Sequence, residues 1–151
     1  MPDMRKKTYK LTDQVGHLLR KAYQRHIAIF QQKIDDPQLT AAQFATLCAI
    51  NDHGNCSMSE IIKVTSIDQA TIRGVIDRLR QRRLISVFPD PDDRRKANIS
   101  LTKEGQALVD KAIPRAAEIT QLTFRDLNDA ERVAMIYLLR KMTGEEGEAS
   151  G

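Results

Sequence analysis

A mainly α-helical fold with one small β-hairpin is predicted by three observations in this 151-residue chain. Apolar residues recur at three- and four-residue steps through most of it, the period of a helix. Two short alternating segments, Ile85-Ser86-Val87-Phe88 and Ala97-Asn98-Ile99-Ser100-Leu101, flank the turn-forming run Pro89-Asp90-Pro91-Asp92-Asp93-Arg94-Arg95, which reads as a hairpin. Just upstream, two helical patterns are joined by a turn, Thr65-Ser66-Ile67, tight enough for a helix-turn-helix.

The first element is one long helix from about Thr8 to Lys33, with Leu11, Val15, Leu18, Leu19, Ala22, Ile29 and Phe30 on its apolar side. Asp36-Pro37 breaks it. Thr40 then reads as an N-cap with Gln43 completing a capping box. The helix it opens is expected to bury Phe44, Leu47, Cys48 and Ile50 and to end near His53-Gly54. Ser57 and Glu60 form a second capping box, for a short helix whose apolar side is Ile61, Ile62 and Val64. Asp68 caps the next helix. Its core stripe is Ile72, Val75, Ile76 and Leu79, and Gln69, Ala70, Arg73, Gly74 and Asp77 lie opposite.

After the hairpin Thr102 caps a helix carrying Leu108, Val109, Ala112, Ile113, Ala116 and Ile119. Pro114 predicts a kink or a break within it. Asn128, with Glu131, caps a last helix lined by Met135, Leu138, Leu139 and Met142. Residues 144–151 are polar and acidic and are expected to be disordered.

The organisation predicted is a single protomer over 1–151. It has a compact lobe at 40–101 and flanking helical segments at 8–35 and 103–143. The flanks carry more apolar surface than a small lobe can bury. The economical solution is that they pack with the same ends of a second copy, making them dimerisation helices.

No apolar run is long enough to span a bilayer. The charged N-terminus has no apolar stretch after it, so it is not a secretory signal, and a cytoplasmic location is expected. The two cysteines are too few for a disulfide scaffold. Cys48 is expected to be buried and Cys56, near a turn, more exposed. His17, His26 and His53 lack metal-ligand spacing. The group Asp90, Asp92 and Asp93 matches no calcium loop. With no nucleophile–base pair or phosphate-cradling loop, the chain is expected to be no enzyme and to need no cofactor or metal.

Charge distribution points further. The formal net charge is +4 and the pI about 9.2. From Arg73 to Lys96 eight Lys/Arg face four Asp, whereas the end of the chain carries Glu145, Glu146 and Glu148. A basic centre attracts phosphates and releases counterions on binding. A helix-turn-helix followed by a basic hairpin puts a helix in one groove of double-stranded DNA and a finger in the next. Gln69 and Arg73 are placed to meet base edges, Gln pairing with adenine and Arg with guanine. Ser66 and Thr71 suit phosphate or a thymine methyl. Ser57 and Ser59, with the amides that open their helix, suit a phosphate. Arg94 and Arg95 at the hairpin tip suit a narrow minor groove, with Asp93 holding the arginine fork by a bidentate bond.

These residues resemble the MarR family of bacterial transcriptional regulators. The resemblance runs through nearly the whole chain in helix order and is strongest from Asp68 to Gly105. Its motifs are Asp77-Arg78-Leu79, the D-x-R of Asp93-Arg94-Arg95, and L-T-x-x-G at Leu101-Thr102-Lys103-Glu104-Gly105. One departure is Arg83, where family members often carry a glycine as left-handed helix cap.

The resemblance implies a homodimeric winged helix-turn-helix repressor, bound to a pseudo-palindromic operator. Release by a small aromatic or phenolic acid, held between the dimerisation helices and the lobe, is implied too. On the first helix His17, Arg20 and His26 are the polar residues placed for such an effector, Arg pairing with a carboxylate and His with a ring hydroxyl. Two other readings stay open at this point: a constitutive, architectural DNA-binding protein without an effector, and a winged-helix protein-interaction module.

Overall fold

The computed structural model of the chain describes residues 8–145. Six α-helices and a three-stranded antiparallel sheet make up these residues, α1 Val15–Lys33, α2 Ala41–His53, β1 Cys56–Ser57, α3 Met58–Thr65, α4 Gln69–Gln81, β2 Ile85–Pro89, β3 Ala97–Leu101, α5 Lys103–Thr123 and α6 Asp129–Met142. Sheet order is β1-β3-β2. The hairpin pairs Ile85 with Leu101 through Pro89 with Ala97, and β1 adds Cys56 opposite Ile99. The fold is therefore a winged helix-turn-helix.

The caps are where the sequence places them. Thr40–Gln43, Ser57–Glu60 and Asn128–Glu131 form reciprocal capping boxes, and Asp68 and Thr102 accept the N3 amides of α4 and α5. Each joins a side-chain oxygen to an amide a few residues away, so local sequence suffices to specify it.

Six expectations are corrected. The first helix starts at Val15, not near Thr8: a 3-10 turn at Leu11–Asp13 precedes it, and Gln14 is extended with φ −85° and ψ 137°. Phe44 and Cys48 are only half-buried, while Gln43, Thr46 and Ala49 join Leu47 and Ile50 inside. The cysteines are reversed in burial, for Cys56, on β1 beside β3, is 2% exposed and Cys48 is the more accessible of the two. Val64 is 52% exposed and does not join Ile61 in the core. Pro114 lies within an unbroken α5. Of the acidic tail, 146–151 lies outside the described residues, and Gly144 and Glu145 close α6. Gly144 has φ 79°, and the Glu145 N–H bonds the Arg140 carbonyl at 3.0 Å.

Arg83 shows how the family departure is accommodated. It takes the left-handed conformation itself, φ 58°. The Leu84 N–H reaches the Leu79 carbonyl at 3.0 Å, and the Arg83 N–H reaches Arg80 at 3.0 Å. These are the two bonds of a Schellman cap, which glycine makes at lower conformational cost. Arg83→Gly is expected to stabilise the protein by about 0.5–1 kcal/mol, read as a raised midpoint in urea melts. An unchanged or lower midpoint would show that Arg83 has a compensating contact.

The cap delivers the chain to a close crossing. Thr102 donates its hydroxyl to the Arg83 carbonyl at 2.7 Å and its N–H to Leu84 at 3.1 Å. A Cβ on Gly105 would lie 2.0 Å from the Leu84 carbonyl oxygen. The L-T-x-x-G motif is thus the contact that packs the start of α5 on the base of the wing.

The core is a single cluster centred on Leu47, Ile50, Ile61, Ile72, Leu79, Ile99, Val109 and Ile119. It joins the lobe to α5 and, through Phe30 and Ile34, to the end of α1. At the α1–α2 corner Asp36 pairs with Arg82, the residue that ends α4. Its neighbour Asp35 accepts from Arg115 of α5 at 3.2 Å. Burial raises the Asp36 carboxyl, but bonds from Arg82 and the Gln38 N–H outweigh that and hold it below the usual carboxylate range. Helix α6, by contrast, contributes no buried residue.

Candidate nucleic-acid interface and effector cleft

The outward side of α4 is set by its inward one. Ile72, Val75, Ile76 and Leu79 are buried, so Gln69, Ala70, Arg73, Gly74 and Asp77 face solvent. Asp68 fixes the start of the helix. It accepts the Thr71 N–H at 2.9 Å and the Thr71 hydroxyl at 2.7 Å, and the Thr71 amide and hydroxyl hold its carboxyl below the ordinary range. Since the proton of that hydroxyl is committed to Asp68, the Thr71 side chain has only its methyl and an acceptor oxygen left to offer. Ser66 sits in the tight turn with φ 57°, its N–H on the Ile62 carbonyl.

At the start of α3 the expected phosphate seat is partly occupied. Ser57 accepts the Glu60 N–H at 3.2 Å and shares a 3.1 Å hydrogen bond with Ser59. The Glu60 carboxylate already accepts the Ser57 N–H. An anion at this helix end opposes a second one, so Ser57 and Ser59 act first as the cap.

The wing tip is organised by Asp90, which the sequence places among the turn formers without a bond of its own. Asp90 accepts the N–H groups of Asp92 at 2.8 Å and Asp93 at 3.2 Å, and the Asn98 amide at 3.3 Å. The Asp92 amide foremost holds its carboxyl below the usual range. An aspartate bonding the amide two residues on is an Asx turn, a signal carried by the D-P-D run. Asp93 then accepts both the N–H and the Nε of Arg95 on one oxygen, at 3.0 and 3.3 Å. This corrects the bidentate fork: the terminal nitrogens of Arg95 remain free of Asp93, and its side chain is 93% exposed. Arg94 is exposed beside it. Arg82, within the basic stretch, is instead tied to Asp36.

A second site lies behind the lobe. Tyr23, His26 and Phe30 of α1, Phe44 and Cys48 of α2, and Ala116, Ile119 and Thr120 of α5 line a cleft of about 330 Å³. Half-exposed Phe44 and Cys48 are its walls. Burial, with the charge of Asp52, pushes the Cys48 thiol up to about 11, and burial raises Cys56 too, so neither is an activated thiolate. The Thr123 hydroxyl donates to the Ile119 carbonyl at 2.8 Å, which leaves it an acceptor for His26 Nδ1 at 2.8 Å. Nδ1 therefore carries the proton and Nε2 is the acceptor. Burial lowers the His26 pKa below its ordinary value, keeping the ring neutral at pH 7. Of the three residues expected for an effector, His26 lines the cleft, and His17 and Arg20, further toward the start of α1, do not. No group of His, Cys, Asp and Glu among the described residues could hold a metal ion, and no helix among them is long and apolar enough to cross a membrane.

A third surface is apolar. Val15, Leu18, Leu19 and Ala22 of α1, Phe124 and Leu127, and Met135, Leu138, Leu139 and Met142 of α6 line an open groove of about 530 Å³. Leu18, Leu138 and Met142 are at least half exposed within the protomer.

Reading helix, wing and rear cleft define a winged helix-turn-helix transcriptional regulator. The family model described as "MarR family" matches residues 39–97. The chain is 57% identical over 141 residues to the HTH-type transcriptional repressor NicR of Pseudomonas putida, an alignment covering 93% of this chain and 89% of the relative. It belongs to the MarR family. A solved structure of BpsR from Bordetella bronchiseptica, described in terms of regulation of its DNA binding by 6-hydroxynicotinic acid, is similar at TM-score 0.85 and 57% identity, covering 90% of this chain and 98% of that one. A mutant MarR from E. coli complexed with operator DNA is similar at TM-score 0.78 and 26% identity, covering 85% of this chain and 92% of that one.

Proposed function

We propose that this protein is a homodimeric repressor that leaves its operator when a small aromatic acid of the hydroxynicotinate kind fills the cleft between α1, α2 and α5. It works as a cytoplasmic regulator, not a catalyst. The observation that carries the reading is the cleft itself, walled by Tyr23, Phe30 and Phe44 with one polar ring, His26, anchored to Thr123. A volume of this size suits a single aromatic ring. Regulation of BpsR by 6-hydroxynicotinic acid supports the ligand class.

On DNA, Gln69 and Arg73 read base edges, Arg95 and Arg94 enter the minor groove with Asp93 and Asp90 shaping the tip, and Ser57, Ser59, Ser66 and Thr71 border the phosphates. The lobe at 40–101 is the reading unit and 8–35 with 103–143 the dimerisation unit. Two α4 helices must stand roughly 34 Å apart to meet successive major grooves. The effector acts by binding more tightly to an arrangement with a different spacing, since equal affinity shifts nothing. His26 Nε2 accepts a ring hydroxyl, and Arg20, one turn before Tyr23 but outside the cleft lining, is the cation that draws the carboxylate in by its long-range charge. His17 is the weakest member of the set, as nothing brings it toward the cleft.

Titration of DNA-bound protein with 6-hydroxynicotinic acid is expected to weaken binding about 5- to 150-fold, the usual span of allosteric coupling. His26→Ala is expected to keep the DNA affinity of the free protein and lose that response. A full response in His26→Ala would remove the cleft from the mechanism. Wild-type protein that holds DNA equally well with and without the acid would favour a constitutive binder.

A further inference from the structure

Gly74 is exposed in the middle of α4. A Cβ built on it meets nothing within 4 Å, and its φ is not among the positive ones. The protomer therefore has no steric or conformational use for a glycine there. Glycine nevertheless weakens a helix interior relative to alanine. Gly105 shows the contrast, where the Leu84 carbonyl explains the missing side chain.

The position of Gly74 on the helix supplies the reason. At about 100° per residue, it lies almost opposite the buried stripe Ile72, Val75, Ile76 and Leu79. The long side chain of Arg73 stands on one flank of this outermost line and Arg78 on the other. One turn earlier the line carries Ala70. A helix shaped this way can lower its backbone onto a surface while its long side chains reach past on either side.

We infer that Gly74 is a specificity-determining residue: it is the point of closest approach of α4 to the base edges, and the space above its Cα admits a group projecting from the major-groove floor, such as the 5-methyl of thymine. The inference rests on the DNA-reading role of α4. A methyl at position 74 fills that space and lifts the helix, so the contacts of Gln69 and Arg73 lengthen together. Phosphate contacts from flexible arginines adapt to the shift, whereas bidentate contacts to base edges do not.

The test uses the full-length protein and two probes, the tightest duplex that wild-type protein selects from a randomised pool and a duplex of unrelated sequence. Gly74→Ala is expected to raise Tm by about 2–4 °C, the shift matching the alanine–glycine difference in helix propensity. It should weaken the selected duplex at least tenfold and change the unrelated one less than twofold. Gly74→Ser should fall further on the selected duplex. Unchanged affinity for the selected duplex overturns the proposal. So does a lowered Tm, which would mean that the glycine serves the protein's own packing. Failure of wild-type protein to select any duplex would instead sink the DNA-reading role itself.

Discussion

Replacing Arg95 by alanine is expected to cost this protein about 100-fold or more in operator affinity while leaving its fold intact. The side chain is 93% exposed and its ion pair is with Asp93 of its own wing. Exposed pairs of this kind contribute little to stability, so the melting temperature should stay within a degree or two. In the complex one positioned arginine contact contributes about 1–3 kcal/mol, and a two-fold dimer loses it twice. Two phosphate-neutralising charges fewer should flatten the plot of log K against log salt by about two units. Asp90→Ala should reproduce part of the loss, because it releases the amides of Asp92 and Asp93 and the Asn98 side chain that shape the tip. Fluorescence anisotropy at several salt concentrations reads all three effects. Arg95→Ala with wild-type affinity and slope would remove the wing from the interface.

Leu138→Arg is expected to produce monomers, with loss of DNA binding and a fall in melting temperature of 10 °C or more. Leu138 lines the groove between α1 and α6 and is 50% exposed in the protomer. A fully buried leucine contributes about 1.5–3 kcal/mol, and an unpaired guanidinium in its place adds the cost of desolvating a charge. Symmetry doubles both. Helix α6 has no buried residue of its own, so in the proposed dimer the second copy is expected to supply most of its stability. The wild-type melting temperature should accordingly rise with protein concentration, as it does when association stabilises the folded state. Light scattering and melts at two concentrations decide the matter. A Leu138→Arg protein that stays dimeric with an unchanged melting temperature would place the interface elsewhere.

Much of this molecule is legible in its sequence because the decisive chemistry is local. Thr40 with Gln43, Ser57 with Glu60, and Asn128 with Glu131 announce three helices by side chains that reach only three residues. The hairpin is announced by alternation and by turn residues. What stayed hidden depends on distance along the chain. Periodicity shows that Phe44 and Cys48 share a face with Leu47, but not that this face meets a cleft instead of packed atoms. Cys56 reads as exposed because its pairing partner, Ile99, lies on a strand far ahead. Arg82 looked like one more basic surface residue because Asp36 is far behind it. The start of α1 was misplaced for a related reason: Leu11 fits the apolar rhythm, yet it is 57% exposed and only a single 3-10 turn forms around it. Within the proposed site, the exposure of Gln69, Arg73 and Arg95 follows from helix period and turn position, whereas the bonds that Asp90 makes and the open space over Gly74 are visible only in three dimensions.

The adjacent acids Asp35 and Asp36 have a mechanical consequence. Each grips an arginine on a different helix, Arg115 of α5 and Arg82 at the end of α4, so one corner serves as a common fulcrum. If an aromatic acid fills the cleft behind the lobe as proposed, a shift of that corner is expected to reach the end of α4 directly through the Asp36–Arg82 pair, while the Asp35–Arg115 pair holds the same corner to α5. Sensitivity to the signal is then tunable by evolution at positions that touch neither metabolite nor nucleic acid.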